Sequence, residues 1–157
     1  MFGPSMSTVR RTYVTTLLAV IIALLCSAPP LRSQNDRAGI ATAYEQSGDY
    51  RSAARVWQGL YDEDPKNENY FLGVYRTLRA LESYQPLLQI VEARAKTIRS
   101  IPTMVVYGHV LWKLKRYDDA KRAWDEVLAK ATTAQVFSDL ARIQTESGAL
   151  DKAIQTY

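Results

Sequence analysis

From residue 36 onward the apolar positions recur at intervals of three and four, the period of a helix face rather than of a strand. Between Asp36 and Ser47, Ile40, Ala41 and Tyr44 fall on one stripe. Between Tyr50 and Tyr61, Ala53, Val56, Trp57 and Leu60 form a second stripe. Gly48-Asp49 separates the two: glycine accepts the left-handed backbone that ends a helix, and aspartate caps the next one. Pro65, approached by Asp62-Glu63-Asp64, stops the second helix because it cannot extend the hydrogen-bond ladder. The pattern predicts two antiparallel helices that approach closely where small Ala41 and Ala53 face each other, with Tyr44 and Trp57 filling the adjoining space.

This unit recurs. Tyr50, Tyr84 and Tyr117 stand 34 and then 33 residues apart, and Leu150 follows after another 33. Ala53 and Ala120 come three places after their tyrosines, Trp57 and Trp124 four places later, and Ala153 and Tyr157 hold the same offsets from Leu150. In the third unit Ser100 caps and Pro102 occupies the first turn, where its missing N–H costs nothing. Tyr107, Gly108 and Leu111 then form the inner stripe, and Ala120, Trp124 and Val127 line the second helix. The fourth unit shows Phe137, Leu140, Ala141, Gly148, Leu150 and Ala153. The second is degenerate, with Tyr75 and Leu87 at places that are small elsewhere. Self-similarity at this period signals stacked helix–turn–helix units. The predicted fold is therefore all-α, an α-solenoid of antiparallel helix pairs. Its units span 34–67, 68–100 (degenerate), 101–133 and 134–157 (truncated), about three and a half repeats. Because the last unit stops within its second helix, the sequence reads as the front part of a longer protein.

The residues that carry this pattern resemble the tetratricopeptide repeat. In the first unit they are Ile40-Ala41-x2-Tyr44, Gly48-Asp49-Tyr50, Ala53-x3-Trp57 and Pro65. In the third they are Tyr107-Gly108-x2-Leu111, Tyr117 and Ala120-x3-Trp124, and in part of the fourth Leu140-Ala141 with Gly148 and Ala153. Lys115 in place of the turn glycine, Thr132 in place of the closing proline, and most of the second unit depart from it. The resemblance implies a right-handed superhelix whose first helices line a concave groove that receives an extended or helical segment of another protein. It places Thr42 and Glu45, then Asn69, Leu72, Arg76 and Arg79, then Val105, His109 and Trp112, then Gln135, Ser138 and Arg142 on that groove. Arginine forks there suit carboxylates, and an indole suits an apolar anchor. The lysine–asparagine clamp that some relatives of the repeat use for a terminal carboxylate is absent, since Ala38, Thr42, Pro102 and Val106 stand at its places.

The first 33 residues read differently. Met1 to Arg11 has adjacent arginines and no acid, Val14 to Cys26 is almost wholly apolar, and Ser27 to Ser33 is small and proline-rich. That order predicts a signal peptide, with cleavage after Ala28 or Ser33. The alternative is a retained membrane anchor over 14–26, although a span needs about 20 residues. Arg10-Arg11 also admits a twin-arginine signal and Cys26 a lipidation site, but Leu25 is large for the latter. The expected location is the periplasm or the extracellular space.

Charge changes meaning once the leader is set aside. Of 20 basic residues, Arg10, Arg11 and Arg32 belong to the leader, so 17 face 16 acids in the remainder. Near-neutrality argues against a nucleic-acid partner. The one cysteine, Cys26, lies in the leader, so disulfides and thiolate metal sites are not expected. His109 is the one histidine, and no nucleophile elbow, phosphate loop, dinucleotide fingerprint or zinc motif is present. No catalytic residue, cofactor or metal is expected. The reading is a non-enzymatic, exported scaffold for another protein, with an acidic or amphipathic partner segment matching the arginines. The alternative is a docking or sensor arm of a larger enzyme whose catalytic domain lies beyond residue 157.

Overall fold

A computed structural model of the chain describes residues 31–156. Among them every regular element is an α-helix: α1 (Leu31–Gln46), α2 (Tyr50–Glu63), α3 (Glu68–Ala80), α4 (Tyr84–Thr97), α5 (Ile101–Lys113), α6 (Tyr117–Lys130), α7 (Ala134–Ser147) and α8 (Leu150–Thr156). The predicted leader lies outside the described residues up to position 30, and 31–33 already belong to α1. The chain divides into two compact units, Met1–Arg37 and Ala38–Tyr157. Only the opening of α1 is described in the first. The second holds the helical array. Among the described residues no helix is long and apolar enough to cross a membrane.

Local chemistry sets the helix ends. Asp49 caps α2 by accepting from the Ser52 N–H at 3.1 Å, and Asn67 caps α3 through the N–H groups of Asn69 and Tyr70. Ser100 caps α5 through Thr103, and Pro102 sits in its first turn. Each turn inside a helix pair contains one left-handed residue, in phase: Gly48 (φ 80°), Glu82 (φ 52°), Lys115 (φ 62°) and Gly148 (φ 87°). Only two of the four are glycine, so two turns bear a Cβ where it is costly.

The helices pack as α1/α2, α3/α4, α5/α6 and α7/α8, and the core is continuous along the row. Ala41, Ala53, Trp57, Leu60, Tyr70 and Val74 form its first part. Phe71, Tyr75, Leu87, Val91, Val106 and Val110 form the second. Met104, Val105, Trp124, Val127, Leu140 and Ile143 anchor the third. Helix α3 feeds the first two parts and α5 the last two, so both are buried on two sides. Trp57 and Trp124 lie where a facing helix has no side chain. A Cβ on Gly108 would stand 2.1 Å from Trp124 Nε1, and one on Gly73 would stand 2.3 Å from Trp57 Cδ2. Ala53, Ala120 and Ala153 are buried as well.

Two departures from the sequence expectation have physical causes. Of the stripe in α1, only Ala41 is buried; Ile40 is 50% and Tyr44 38% exposed. Among the described residues α1 packs on one side only, so its stripe is narrower than the three-and-four spacing implies. Tyr50 and Tyr117 also stand out at helix starts. In the second pair, bulky Tyr75 replaces the small residue of the pattern, and α3 and α4 approach closely over much less of their length than α5 and α6 do.

Candidate functional site

A strip of polar contacts runs across the first helices of the four pairs. Arg76 on α3 forks Glu45 on α1, with Nε to Oε2 at 2.9 Å and Nη2 to Oε1 at 3.0 Å. Tyr75 on α3 shares a 2.7 Å hydrogen bond with His109 Nδ1 on α5. Arg79 on α3 donates to Glu146 on α7 at 2.7 Å, and Lys113 on α5 reaches the Glu146 carbonyl oxygen at 3.4 Å. Helices pack at axis separations of roughly 8–10 Å, so α3 and α7 in a flat row would lie about 16–20 Å apart. Arg79 and Glu146, with their side chains extended toward each other, bridge over α5.

On the two glutamates of the strip, burial and charge act in opposition. Burial tends to raise the Glu45 carboxyl, but hydrogen bonds from Arg76 and from Trp57 Nε1, with the charge of Arg76, hold it below the usual carboxylate value. Glu146 is likewise held down against its burial by Arg142 and Arg79. His109 is buried, 1% exposed, between the edges of Tyr75 and Tyr84. Burial, then the charges of Arg79 and Lys113, push its imidazole down to about 4. Burial lifts the Tyr75 hydroxyl to about 12.

The residues expected on the groove divide into three groups. Asn69 is exposed at the start of α3, and Leu72 is half-buried beside the Phe71–Tyr75 core. Arg76, Arg79 and Arg142 lie on the strip, but each is ion-paired: with Glu45, with Glu146, and with Glu146 and Asp139. Val105 and His109 are corrections, since both are buried. Trp112 is half-buried, stacked on Trp124 at 5.5 Å and edge-on to Tyr117 at 4.7 Å, so it is a packing residue before it is an anchor. The signal for α5 was present in its sequence: it carries no charge before Lys113 and is apolar all round, the mark of a helix covered on every side.

Two residues escaped the sequence reading. Glu146 stands four places after Arg142, a helical neighbour by spacing alone. Arg94 has no such signal. Its buried guanidinium donates to the carbonyls of Pro65 and Lys66 and to Thr103 Oγ1, and it lies over the rings of Phe71 (4.5 Å) and Tyr61 (5.9 Å). It ties the turn after α2 to α4 and α5 without a carboxylate among these partners, its charge met by carbonyl dipoles and aromatic faces.

No family model matches the chain, and no curated protein matches it. Solved structures do. MamA 41-end from Desulfovibrio magneticus RS-1 aligns with a TM-score of 0.56 at 14% identity, covering 78% of this chain and 71% of that one. The MamA RS-1 ArsTM double mutant aligns with a TM-score of 0.57 at 13% identity, covering 81% and 72%. The fold is a tetratricopeptide-repeat-like helical solenoid. Identity at this level speaks to the fold and leaves the surface to be read from its own residues. On the solenoid's described residues, no group of three or more His, Cys, Asp or Glu side chains is arranged to hold a metal ion.

Proposed function

We propose that this solenoid is a non-enzymatic scaffold that binds a segment of another protein along the concave strip formed by α1, α3, α5 and α7. We further propose that it works after export, with residues 1–33 serving as a signal peptide or, if retained, as an anchor. The observation that carries the reading is the Arg79–Glu146 contact across α5, which brings charged side chains of alternate first helices together on one face. A concave face of this kind offers a partner segment many contacts on helices held rigid by their own packing.

The test is site-specific photo-crosslinking in the native compartment. A crosslinking side chain at Asn69 or Ser138, both exposed on first helices, should capture a protein partner. The same group at Lys121, exposed on α6, should not. Capture from Lys121 alone would move the binding surface to the second helices. Export is checked separately by the mass of the mature N-terminus in the exported fraction; an intact chain confined to the cytoplasm would refute that part.

A further inference from the structure

At the α7 end of the strip, cations from three successive first helices converge on one residue. Arg79 Nη1 donates to Glu146 Oε2 at 2.7 Å, Arg142 Nη1 donates to Oε1 at 2.8 Å, and Lys113 Nζ points at the Glu146 carbonyl oxygen at 3.4 Å. Asp139 stands at the margin, 3.9 Å from Arg142. Each carboxylate oxygen of Glu146 therefore takes one guanidinium, and the seat so formed has the shape of a carboxylate. It is also open to water: the side chains of Arg79, Arg142 and Glu146 are 36%, 54% and 39% exposed. Exposed ion pairs contribute little to stability, so Glu146 is held in place but cheaply released.

We infer that Glu146 is an internal stand-in for a carboxylate of the partner, and that an acidic side chain of an extended partner segment displaces it from the fork of Arg79 and Arg142. The inference rests on the concave strip being the binding surface. Exchange of one carboxylate for another leaves the charge of the seat unchanged, while the released Glu146 regains water. A neutral or basic segment gains nothing from the exchange. Glu146 thus sets a threshold: only a segment with enough acidic groups to outcompete a tethered carboxylate occupies this end of the strip. Beneath the seat lie Arg79 over the Tyr75 ring at 5.5 Å and the buried Tyr75–His109 hydrogen bond. His109 is the one histidine of the chain and reports on the exchange.

The experiment measures binding of a fluorescein-labelled octaglutamate peptide to the exported chain at low salt, with an octaglutamine peptide for comparison. Glu146→Gln should tighten octaglutamate binding about tenfold, equivalent to about 1.4 kcal/mol. Glu126→Gln makes the same change in net charge on α6, where Glu126 pairs with Arg99 and Lys130, and should change binding less than about twofold. Arg79→Gln and Arg142→Gln should each weaken it. Adding octaglutamate to the wild-type chain should also move the imidazole resonances of His109. Equal effects of Glu146→Gln and Glu126→Gln overturn the inference, as do immobile His109 resonances at saturation or a failure of both proteins to bind. If it is overturned while crosslinks from Asn69 persist, the strip remains the surface and only the role of Glu146 is lost. Absence of crosslinks from the strip removes the surface itself.

Discussion

Replacing Gly108 by alanine sets helix propensity against packing, and the structure decides which prevails. In an exposed helix interior the change is worth about 0.8–1 kcal/mol in favour of alanine. Here the new Cβ would meet Trp124 Nε1 at 2.1 Å, Cδ1 at 2.4 Å and Cε2 at 2.7 Å. Non-bonded heavy atoms settle near 3.5–4.0 Å, so the indole must retreat by more than about an ångström. It has nowhere to go: Trp124 is buried, stacked on Trp112, and bonded through Nε1 to the Val105 carbonyl at 3.3 Å. Overpacking costs about 1–3 kcal/mol and a lost hydrogen bond about 1 kcal/mol more. The net expectation is a loss of about 1–3 kcal/mol. Gly39→Ala is the control, because α1 offers nothing within 4 Å of its Cβ and the change should stabilise by about 0.5–1 kcal/mol. Urea denaturation followed by circular dichroism compares the midpoints. In a Trp124→Leu background the Gly108→Ala penalty should shrink. A Gly108→Ala midpoint that rises with that of Gly39→Ala would refute the close approach of α5 to the indole.

Three further outcomes are expected. Glu82→Gly and Lys115→Gly should each raise thermal stability by about 0.5–1 kcal/mol, since relief of the left-handed strain exceeds the entropy lost with glycine; unchanged melting would show that the turns bear no strain. Arg94→Met should cost about 2–4 kcal/mol in chemical denaturation by leaving carbonyl and hydroxyl acceptors without this donor, and Arg94→Lys should not restore it, because the acceptors are spread over Nε, Nη1 and Nη2 and a single ammonium nitrogen cannot reach all three places; full rescue by lysine would refute the forked arrangement. His109 takes up a proton near 6.5 in the unfolded chain and near 4 when folded, so stability should fall by up to about 3 kcal/mol as pH drops from about 6.5 to about 4; His109→Gln should flatten that window, and an unchanged slope would assign the loss to other groups.

The helix pairs were legible because three-and-four periodicity, capping residues and a fixed repeat length all point the same way, and each acts locally. The left-handed turns at Glu82 and Lys115 could be placed by phase with Gly48 and Gly148, though neither residue type advertises them. What local pattern could not supply was which side of a helix meets a neighbour. Val105 and His109 project from α5 at the spacing of an outward face, yet α5 is enclosed between α3, α4, α6 and α7. Ile40 and Tyr44 show the converse, a stripe with too few neighbours to cover it. The pairing of Arg79 with Glu146 joins residues 67 positions apart and depends on how the assembled row aligns α3 with α7, which no single segment encodes.

That same pairing bears on how the array comes apart. In a solenoid whose units touch only their immediate neighbours, unfolding frays from an end, and each unit's loss is felt by the next alone. A bond from α3 to α7 skips a unit, so melting of the α7/α8 pair also removes a restraint on α3, beyond the α5/α6 pair that lies between. Partial unfolding from that side should therefore be coupled over three units. Because the pair is exposed and worth at most about 1 kcal/mol, loss of α7 should lower hydrogen-exchange protection in α3 by no more than about fivefold, and that effect should vanish once Glu146 can no longer hold Arg79.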